Sequence, residues 1–192
     1  MKTILIGIQG AGKSTQGKLL SEKLHIPYLS TGHIFRDLAK EHTPQGRYIK
    51  ETMNAGYLIP DGRVMQIVTE YLHRPEYEKG YILDGFPRTA HQAEQFENGV
   101  DHVFYLKVSD KEALWRLSYR EGEEADGRED DTLKALRRRI ELFHEHTEPV
   151  LAHYRHHRKL IEVDGEQTIP QIHDEIMEKI HHVKITHEQR RS

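Results

Sequence analysis

The chain contains no cysteine and no long apolar run, and its aromatic residues are few. Without cysteine, disulfide bonds and thiolate metal sites are excluded. No apolar run approaches the roughly 20 residues of a membrane-spanning helix, and the first residues, MKTILIGI, show no pattern of a cleaved leader. Aromatic residues make up 8 % of the 192 residues and charged residues 31 %, with a net charge of −3. We therefore expect one soluble, cytoplasmic domain that has neither nucleic acid nor a membrane as its partner.

Short apolar runs alternate with longer helical patterns along the chain. Three of the runs are almost continuously apolar, which is typical of parallel strands covered on both faces. The predicted strands are residues 3–8, 26–30, 81–85, 102–108 and 160–165. The predicted helices are residues 13–25, 33–41, 46–55, 61–73, 89–97, 110–120, 130–157 and 168–182. This alternation predicts a three-layer α/β fold around a five-stranded parallel sheet.

Two segments do not follow the alternation. Residues 30–59 contain two short polar helix patterns with no strand between them. Residues 119–131, YREGEEADGREDD, are almost entirely charged or polar and cannot belong to a core. We therefore predict a single domain with two insertions at the edge of the sheet. Its core would consist of residues 1–29, 60–118 and 132–192.

The stretch GIQGAGKST follows the first predicted strand and opens the first helix. Gly7, four further residues, and then Gly12, Lys13 and Ser14 match the phosphate-binding loop. Glycines let backbone N–H groups converge on an anion, and the following helix points its positive dipole end at the same place. Lys13 adds a full charge toward the outer phosphates, and a hydroxyl at Ser14 or Thr15 can bind Mg²⁺. The alternative, an ordinary glycine-rich turn, is disfavoured by the strand–helix context.

Several arginines occur where they could hold further phosphate groups. Transfer of phosphate between two nucleotides requires cations beyond the loop lysine, and planar guanidinium groups bind phosphate bidentately. Arg88 follows the third strand in LDGFPRTAHQ, at the edge where ligands bind in open α/β sheets. The other candidates are Arg36, Arg120, Arg128 and Arg139. We interpret as solvated surface charges Arg116, Arg137 and Arg138.

Together these motifs resemble the adenylate kinases of the short-lid type, within the nucleoside monophosphate kinases. The resemblance covers about residues 1–180, with GAGKST, STGHIFR, AGYLIPDGRV, GYILDGFPRT, GREDD and RRRIELFHEHTEPVLAHY in the family's order. It implies a P-loop fold and the reaction ATP + AMP ⇌ 2 ADP with Mg²⁺. It further implies that residues 30–59 bind the nucleoside monophosphate and that residues 119–131 form a short lid. The expected partners are ATP and AMP or ADP, and the enzyme is expected to be a monomer.

The resemblance also implies roles for individual residues. The catalytic residues would be Lys13, Arg88, Arg120, Arg128 and Arg139. The ATP site would comprise Gly10, Ala11, Gly12, Lys13, Ser14, Thr15, Arg120 and the backbone near Gln167. The AMP site would comprise Thr31, Arg36, Tyr57, Leu58, Ile59, Gly85, Phe86, Pro87, Arg88, Gln92, Arg128 and Arg139. Mg²⁺ would be held by Ser14 and, through water, by Asp84.

The acceptor nucleotide depends on the side chains that meet its base. The resemblance places Thr31 and Gln92 there, and an amide offers a donor and an acceptor that suit N1 and the 6-amino group of adenine. The alternatives are a UMP- or CMP-type kinase and a nucleotide-binding protein of this fold without turnover. A binding protein has no need of Arg128 and Arg139 beside the transferred group, which favours an enzyme.

Four residues depart from the family pattern. Gln9 stands where a proline is usual, Ser14 where a glycine is usual, and Gly62 where an acidic residue is usual. His33 changes STGD to STGH, so that an imidazole replaces a carboxylate near the phosphates. Imidazole is the side chain that titrates near neutral pH. We therefore expect the phosphate machinery to be kept, while the effect of these departures on rate, metal use and acceptor choice does not follow from the sequence.

Fifteen histidines raise the question of a metal site. His153 and His157 are one helical turn apart, a spacing that two ligands of one metal can share. The sequence offers no evident third ligand. We interpret these histidines as part of a solvated helix face.

Overall fold

The computed structural model describes residues 1–96, 99–119 and 132–189, with side chains described through residue 182. Within these residues the chain forms a parallel sheet in the order β2-β3-β1-β4-β5. The strands are β1 (Lys2–Ile6), β2 (Tyr28–Ser30), β3 (Tyr81–Asp84), β4 (His102–Lys107) and β5 (Leu160–Asp164). The five predicted strands are confirmed, and so is the α/β fold with a five-stranded parallel sheet.

The helices follow the predicted alternation. They are α1 (Lys13–Leu24), α2 (Thr31–Ala39), α3 (Pro44–Asn54), α4 (Asp61–Leu72), α5 (Ala90–Gln95), α6 (Asp110–Ser118), α7 (Leu133–Leu142), α8 (Glu148–His156) and α9 (Ile169–Gln189). A 3₁₀ turn at Pro75–Tyr77 was not predicted. Several helices begin after a hydroxyl residue whose oxygen accepts a backbone N–H of the first turn, which stabilises the helix start. These cap residues are Thr43, Thr89, Ser109 and Thr132.

Strand β1 lies at the centre of the sheet and is covered on both faces. Neighbouring residues of a strand point to opposite faces, so the burial of both Ile4 and Leu5 requires helices on each side. Helix α1 packs against β3 and α9, whereas α8 packs against α5 and β5. The continuous apolar sequence of β1 is therefore a consequence of its central position.

The predicted helix over residues 130–157 is interrupted. Residues Phe143–Thr147 form a π turn between α7 and α8. Pro149 has no N–H to donate to the carbonyl of Glu145, so the α-helical ladder is broken here in any case. The apolar period continues across the break, which is why the sequence predicted one helix. The last helix is also longer than predicted, since it ends at Gln189 rather than at residue 182.

The two predicted insertions differ in how much the structure describes. Helices α2 and α3 follow β2 and pack against each other, as the two short helix patterns indicate. Of the predicted lid, residues 119–131, only Tyr119 lies within the described residues. None of the helices in the described part of the chain is both long and apolar enough to span a membrane.

The carboxyl ends of three strands meet at one edge of the sheet. They are Ile6 of β1, Ser30 of β2 and Asp84 of β3. The chain passes from one side of β1 to the other between β3 and β4, which makes this edge the switch point of the sheet. Open α/β sheets bind their ligands in the crevice at such a point.

Candidate active site

The glycine-rich loop connects Ile6 at the end of β1 to Lys13 at the start of α1. Gly10 has a φ of 91°, in the left-handed region that glycine adopts without strain. A Cβ on Gly10 would lie 2.7 Å from the carbonyl oxygen of Ala113 on α6. The loop therefore requires glycine both for its curvature and for its contact with α6. A curled backbone before a helix N-terminus is the geometry that binds phosphate.

The side chain of Lys13 folds back over this loop. Its Nζ donates to the carbonyl oxygens of Gly7, at 2.7 Å, and Ile8, at 3.0 Å. Lys13 and Ser14 line the same cavity. The loop carbonyls thus hold the ammonium group of Lys13 beside this cavity.

A cavity extends from the loop along the carboxyl edge of the sheet. Most of the residues predicted for the two nucleotide sites line it, although they come from distant parts of the chain. They are Gly10, Gly12, Lys13, Ser14, Thr31, Arg36, Tyr57, Leu58, Ile59, Asp84, Gly85, Phe86, Pro87, Arg88, Gln92 and Arg139. Exposed His33 lines the cavity as well.

Asp84 ends β3 inside this cavity. Its Oδ2 accepts a hydrogen bond of 2.8 Å from the hydroxyl of Tyr28 on β2. Burial, together with the Asp84 carboxylate, raises the pKa of Tyr28 far above its ordinary value, so the phenol remains a donor. The other carboxylate oxygen, Oδ1, is buried and has no hydrogen-bond partner in the described part of the chain. A buried carboxylate oxygen in a cavity shared with the Ser14 hydroxyl fits the oxygen ligands that Mg²⁺ prefers.

Arg88 is held both at its side chain and at its backbone. Its Nε donates to the carbonyl oxygen of Gly85 at 2.8 Å, and its own carbonyl accepts the Thr147 hydroxyl at 2.9 Å. A Cβ on Gly85 would lie 2.5 Å from Thr31 Oγ1 and 3.1 Å from Arg88 Nη2. Glycine at position 85 therefore allows both Thr31 and Arg88 to lie close to its Cα.

The cations of the cavity influence one another. Burial lowers the pKa of Arg88, Asp84 acts in the opposite direction, and Arg139 and Arg36 lower it further. An arginine remains charged despite such shifts. The repulsion among these three guanidinium groups means that the cavity favours a strongly anionic ligand.

Arg139 on α7 connects two walls of the cavity. Its Nη1 donates to Gln9 Oε1 of the glycine loop at 3.0 Å, and its Nη2 donates to the carbonyl oxygen of Met53 on α3 at 2.9 Å. Gln9, which stands at a usual proline position, thus makes a side-chain contact that proline could not make.

Gln92 on α5 is 2 % exposed and is held in one orientation. Its Oε1 accepts the backbone N–H of Arg88 at 2.7 Å, and its Nε2 donates to Asp61 Oδ1 at 2.7 Å. The hydroxyl of Thr89 donates to Asp61 Oδ2 at 2.8 Å. The amide predicted to read the base is therefore part of a network between α4 and α5.

Some predicted site residues are not brought into the cavity. The described residues Ala11, Thr15 and Gln167 do not line it. The Gln167 side chain donates to Glu175 at 2.6 Å and to the carbonyl oxygen of Asp164 at 3.2 Å, which leaves its predicted backbone role untested. Arg120 and Arg128 lie outside the described residues.

The interpretation of Arg116 as a solvated surface charge was wrong. Its Nε bonds Glu112 at 2.7 Å, and its Nη1 donates to the carbonyl oxygen of Gly165 at 2.8 Å. The backbone after β5 supplies this acceptor, which no local pattern around Arg116 indicates. Arg137 and Arg138 are exposed, as interpreted.

Sequence reasoning missed three residues that position the site: Tyr28, Asp61 and Thr147. Tyr28 in a short strand and Asp61 at a helix start have ordinary structural explanations, a packed aromatic residue and a favourable charge at the dipole. Thr147 lies in the unpredicted π turn. A signal for Asp61 did exist, because a buried amide such as Gln92 requires polar partners.

The histidine pair on α8 does not extend to a larger cluster. The rings of His153 and His157 have centroids 4.5 Å apart, and Nδ1 of His157 lies 2.8 Å from the carbonyl oxygen of His153. Within the described residues, no group of three potential ligands of the His, Cys, Asp or Glu types comes together.

A glycine loop at a helix start, which opens into a cationic cavity at the switch point of a parallel sheet, defines a P-loop nucleotide-binding enzyme. The family model described as adenylate kinase matches residues 5–159. The chain belongs to the adenylate kinase family, and it is a nucleoside monophosphate kinase.

Individual relatives agree with the family match. Adenylate kinase 1 of Nostoc sp. is 37 % identical over 182 residues, which cover 91 % of this chain and 96 % of the relative. An adenylate kinase of Cyanothece sp. is 38 % identical over 173 residues, 86 % of this chain and 88 % of the relative. One of Archaeoglobus fulgidus is 36 % identical over 215 residues, 94 % of this chain and 99 % of the relative.

Proposed function

We propose that the protein reversibly transfers the terminal phosphoryl group of ATP to AMP, which yields two ADP. The observation that carries this proposal is the continuous cavity, which is lined at once by Lys13 of the glycine loop and by Arg88 and Gln92 after β3. Nucleotides bound at these two places would bring their phosphate chains together among Lys13, Arg88 and Arg139. The reaction needs this meeting of donor and acceptor phosphates.

The donor site is built around the start of α1. In this proposal the loop N–H groups and Lys13 hold the ATP phosphates, with Arg120 from the lid and the backbone near Gln167 completing the site. The residues involved are Gly10, Ala11, Gly12, Lys13, Ser14, Thr15, Arg120 and Gln167. The left-handed glycines and the dipole of α1 support this assignment.

The acceptor site occupies the other part of the cavity. Arginines bind the AMP phosphate, backbone segments enclose the nucleoside, and Thr31 and Gln92 meet the base. The residues involved are Thr31, Arg36, Tyr57, Leu58, Ile59, Gly85, Phe86, Pro87, Arg88, Gln92, Arg128 and Arg139. In the proposed organisation, residues 30–59 form the acceptor insertion and residues 119–131 the lid of a monomeric enzyme.

The protein contributes position and charge rather than covalent chemistry. Phosphoryl transfer passes through a loose transition state whose charge is spread over the phosphate oxygens. Lys13, Arg88, Arg120, Arg128 and Arg139 would neutralise that charge from fixed positions. Lys13 and Arg88 are already anchored by backbone carbonyls, so little reorganisation is needed. Closure over the two nucleotides would exclude water and so prevent hydrolysis of ATP.

Ser14 and Asp84 would hold Mg²⁺, the latter through water. The buried, unpartnered Oδ1 of Asp84 supports this assignment. When bound, the ion would offset phosphate charge and orient the phosphate chain. The Tyr28 hydroxyl already bonds Oδ2 of Asp84, so Oδ1 is the oxygen that would hold the ion through water.

The deciding experiment is a coupled assay of ADP formation from ATP with AMP, UMP, CMP and GMP as acceptors. We expect kcat/KM for AMP to exceed that for the others by at least ~100-fold, because two base-edge contacts would be left unpaired with a wrong base. Gln92→Ala should reduce this preference while leaving the KM for ATP nearly unchanged.

Two results would contradict the proposal in different ways. Equal efficiency with UMP or CMP would reject AMP as the specific acceptor but keep the kinase class. ATP binding without turnover of any acceptor would reject catalysis.

A further inference from the structure

Gln92 has two polar partners of opposite character. Its carbonyl oxygen faces the N–H of Arg88, which can only donate, and its amino group faces the carboxylate of Asp61, which accepts. Rotation of the amide by 180° would set oxygen against carboxylate and amino group against N–H. The two contacts therefore permit one orientation of the amide.

Asp61 is itself held in place. Its second oxygen accepts the Thr89 hydroxyl, whose oxygen in turn accepts the backbone N–H of Gln92 at 3.2 Å. Asp61 is also the first residue of α4, where the helix dipole favours a negative charge. The carboxylate thus ties the start of α4 to the start of α5.

We propose that Asp61 is a positioning residue that makes the acceptor site distinguish 6-aminopurine from 6-oxopurine nucleotides. The inference rests on the acceptor site proposed above. Asp61 does not line the cavity among its described residues, whereas Gln92 does. Asp61 acts only through the orientation of the Gln92 amide.

The chemistry of the two bases makes this orientation decisive. Adenine presents an acceptor at N1 and a donor at its 6-amino group. Hypoxanthine has nearly the same shape but presents a donor at N1 and an acceptor at O6. A carboxamide has two N–H groups and two lone pairs, and the contacts to Asp61 and Arg88 leave one of each for a ligand. A freely rotating amide would suit both bases by turning over, whereas a fixed amide suits only one.

The test compares AMP and IMP as acceptors in the wild-type enzyme and in Asp61→Ala. We expect the wild type to favour AMP in kcat/KM by at least ~100-fold. In Asp61→Ala the preference should fall by at least about tenfold, since one charge-assisted contact no longer opposes amide rotation. Turnover of AMP itself should be retained.

Asp110→Ala is the matched control. Asp110 is likewise the first residue of its helix, α6, but its carboxylate bonds His144 rather than Gln92. Its removal should leave the AMP to IMP ratio within about twofold of the wild type. Asp61→Asn should largely restore the ratio, because its amide oxygen can still accept from Gln92.

A second route avoids dependence on one variant. Thr89→Val removes the hydroxyl that holds Asp61, and it should lower the AMP to IMP ratio in the same direction but by less. The inference is overturned if the ratio is unchanged in Asp61→Ala, or if Asp61→Ala and Asp110→Ala lower it equally. Efficient use of IMP by the wild type would overturn the inference alone, whereas absence of AMP turnover would overturn the proposed function together with it.

Discussion

Three cationic side chains of the cavity each donate a hydrogen bond to a backbone carbonyl oxygen. Lys13 bonds two loop carbonyls, Arg88 bonds the carbonyl of Gly85, and Arg139 bonds that of Met53. Backbone oxygens are fixed by the fold, so they hold these cations in place although the cations repel each other. This preorganisation is the main means by which a protein stabilises a charged transition state.

Lys13→Ala should abolish most activity with little effect on folding. The loop would lose the charge directed at the outer phosphates, and we expect kcat to fall at least ~100-fold, the scale of one oxyanion-type contact. Steady-state kinetics and urea unfolding on the same preparation check this.

Lys23→Ala is the control, because Lys23 is an exposed lysine of the same helix. Its kinetics should match those of the wild type. Near-normal turnover of Lys13→Ala would reject the assigned role of the loop lysine.

At this scale the sequence predicts a residue well when its partners are nearby in the chain. Lys13 bonds Gly7 and Ile8, which belong to its own motif. Asp61 and Gln92 are separated by 31 positions, and their contact depends on how α4 and α5 pack. No local pattern contains that information, so the sequence could indicate Gln92 as a site residue but not Asp61, which holds its amide.

Among the secondary-structure elements, the π turn contacts both a candidate site residue and two neighbouring helices. Thr147 of this turn contacts the backbone of Arg88, and His144 of the same turn joins two helices. Nδ1 of His144 lies 2.6 Å from Glu148 on α8, and Nε2 lies 2.9 Å from Asp110 on α6. The sequence could predict the helices on either side from their apolar period, but a π turn leaves that period almost intact.

His144 makes the stability of this junction depend on pH. The hydrogen bond to Glu148 raises the pKa of His144, Asp110 adds to it, and burial opposes both. A raised pKa means that the stabilisation is complete below the unfolded value of about 6.5 and is lost as pH rises through the folded value. Wild type and His144→Ala should therefore differ more in free energy of unfolding at pH 5.5 than at pH 8.5.

Urea denaturation at both pH values measures this difference, which should stay below about 1 kcal/mol since the side chains are partly exposed. In a Glu148→Gln background the pH dependence of the His144 effect should shrink. A difference that is larger at pH 8.5 would contradict the assignment.

At the scale of the whole molecule, the cavity concentrates positive charge between parts of the chain that are far apart in sequence. A ligand that occupies both nucleotide sites should relieve the repulsion and join these parts. Two adenosines linked through five phosphates should raise Tm by about 10 °C at 1,000 times Kd, given about 4 kcal/mol of linkage. Differential scanning calorimetry measures the shift.

The same ligand should stabilise Lys13→Ala much less, whereas Lys23→Ala should respond like the wild type. A Tm that does not change with the two-headed ligand would mean that the two sites do not act as one cavity. ATP alone should give a smaller shift because it leaves the acceptor side empty.

The central position of β1 also constrains the synthesis of the protein. The ribosome makes β1 (Lys2–Ile6) first. Its two neighbours in the sheet, β3 and β4, follow only at Tyr81–Asp84 and His102–Lys107. The glycine loop depends on the same late segments, since Gly7 lies against Leu106 and Gly10 against Ala113. On the ribosome, β1 is therefore expected to remain with both edges unpaired until β3 and β4 are made, and an unpaired apolar strand is prone to aggregate. We therefore expect the glycine loop, the first motif of the chain, to reach its folded shape only after residue 113 has left the ribosome.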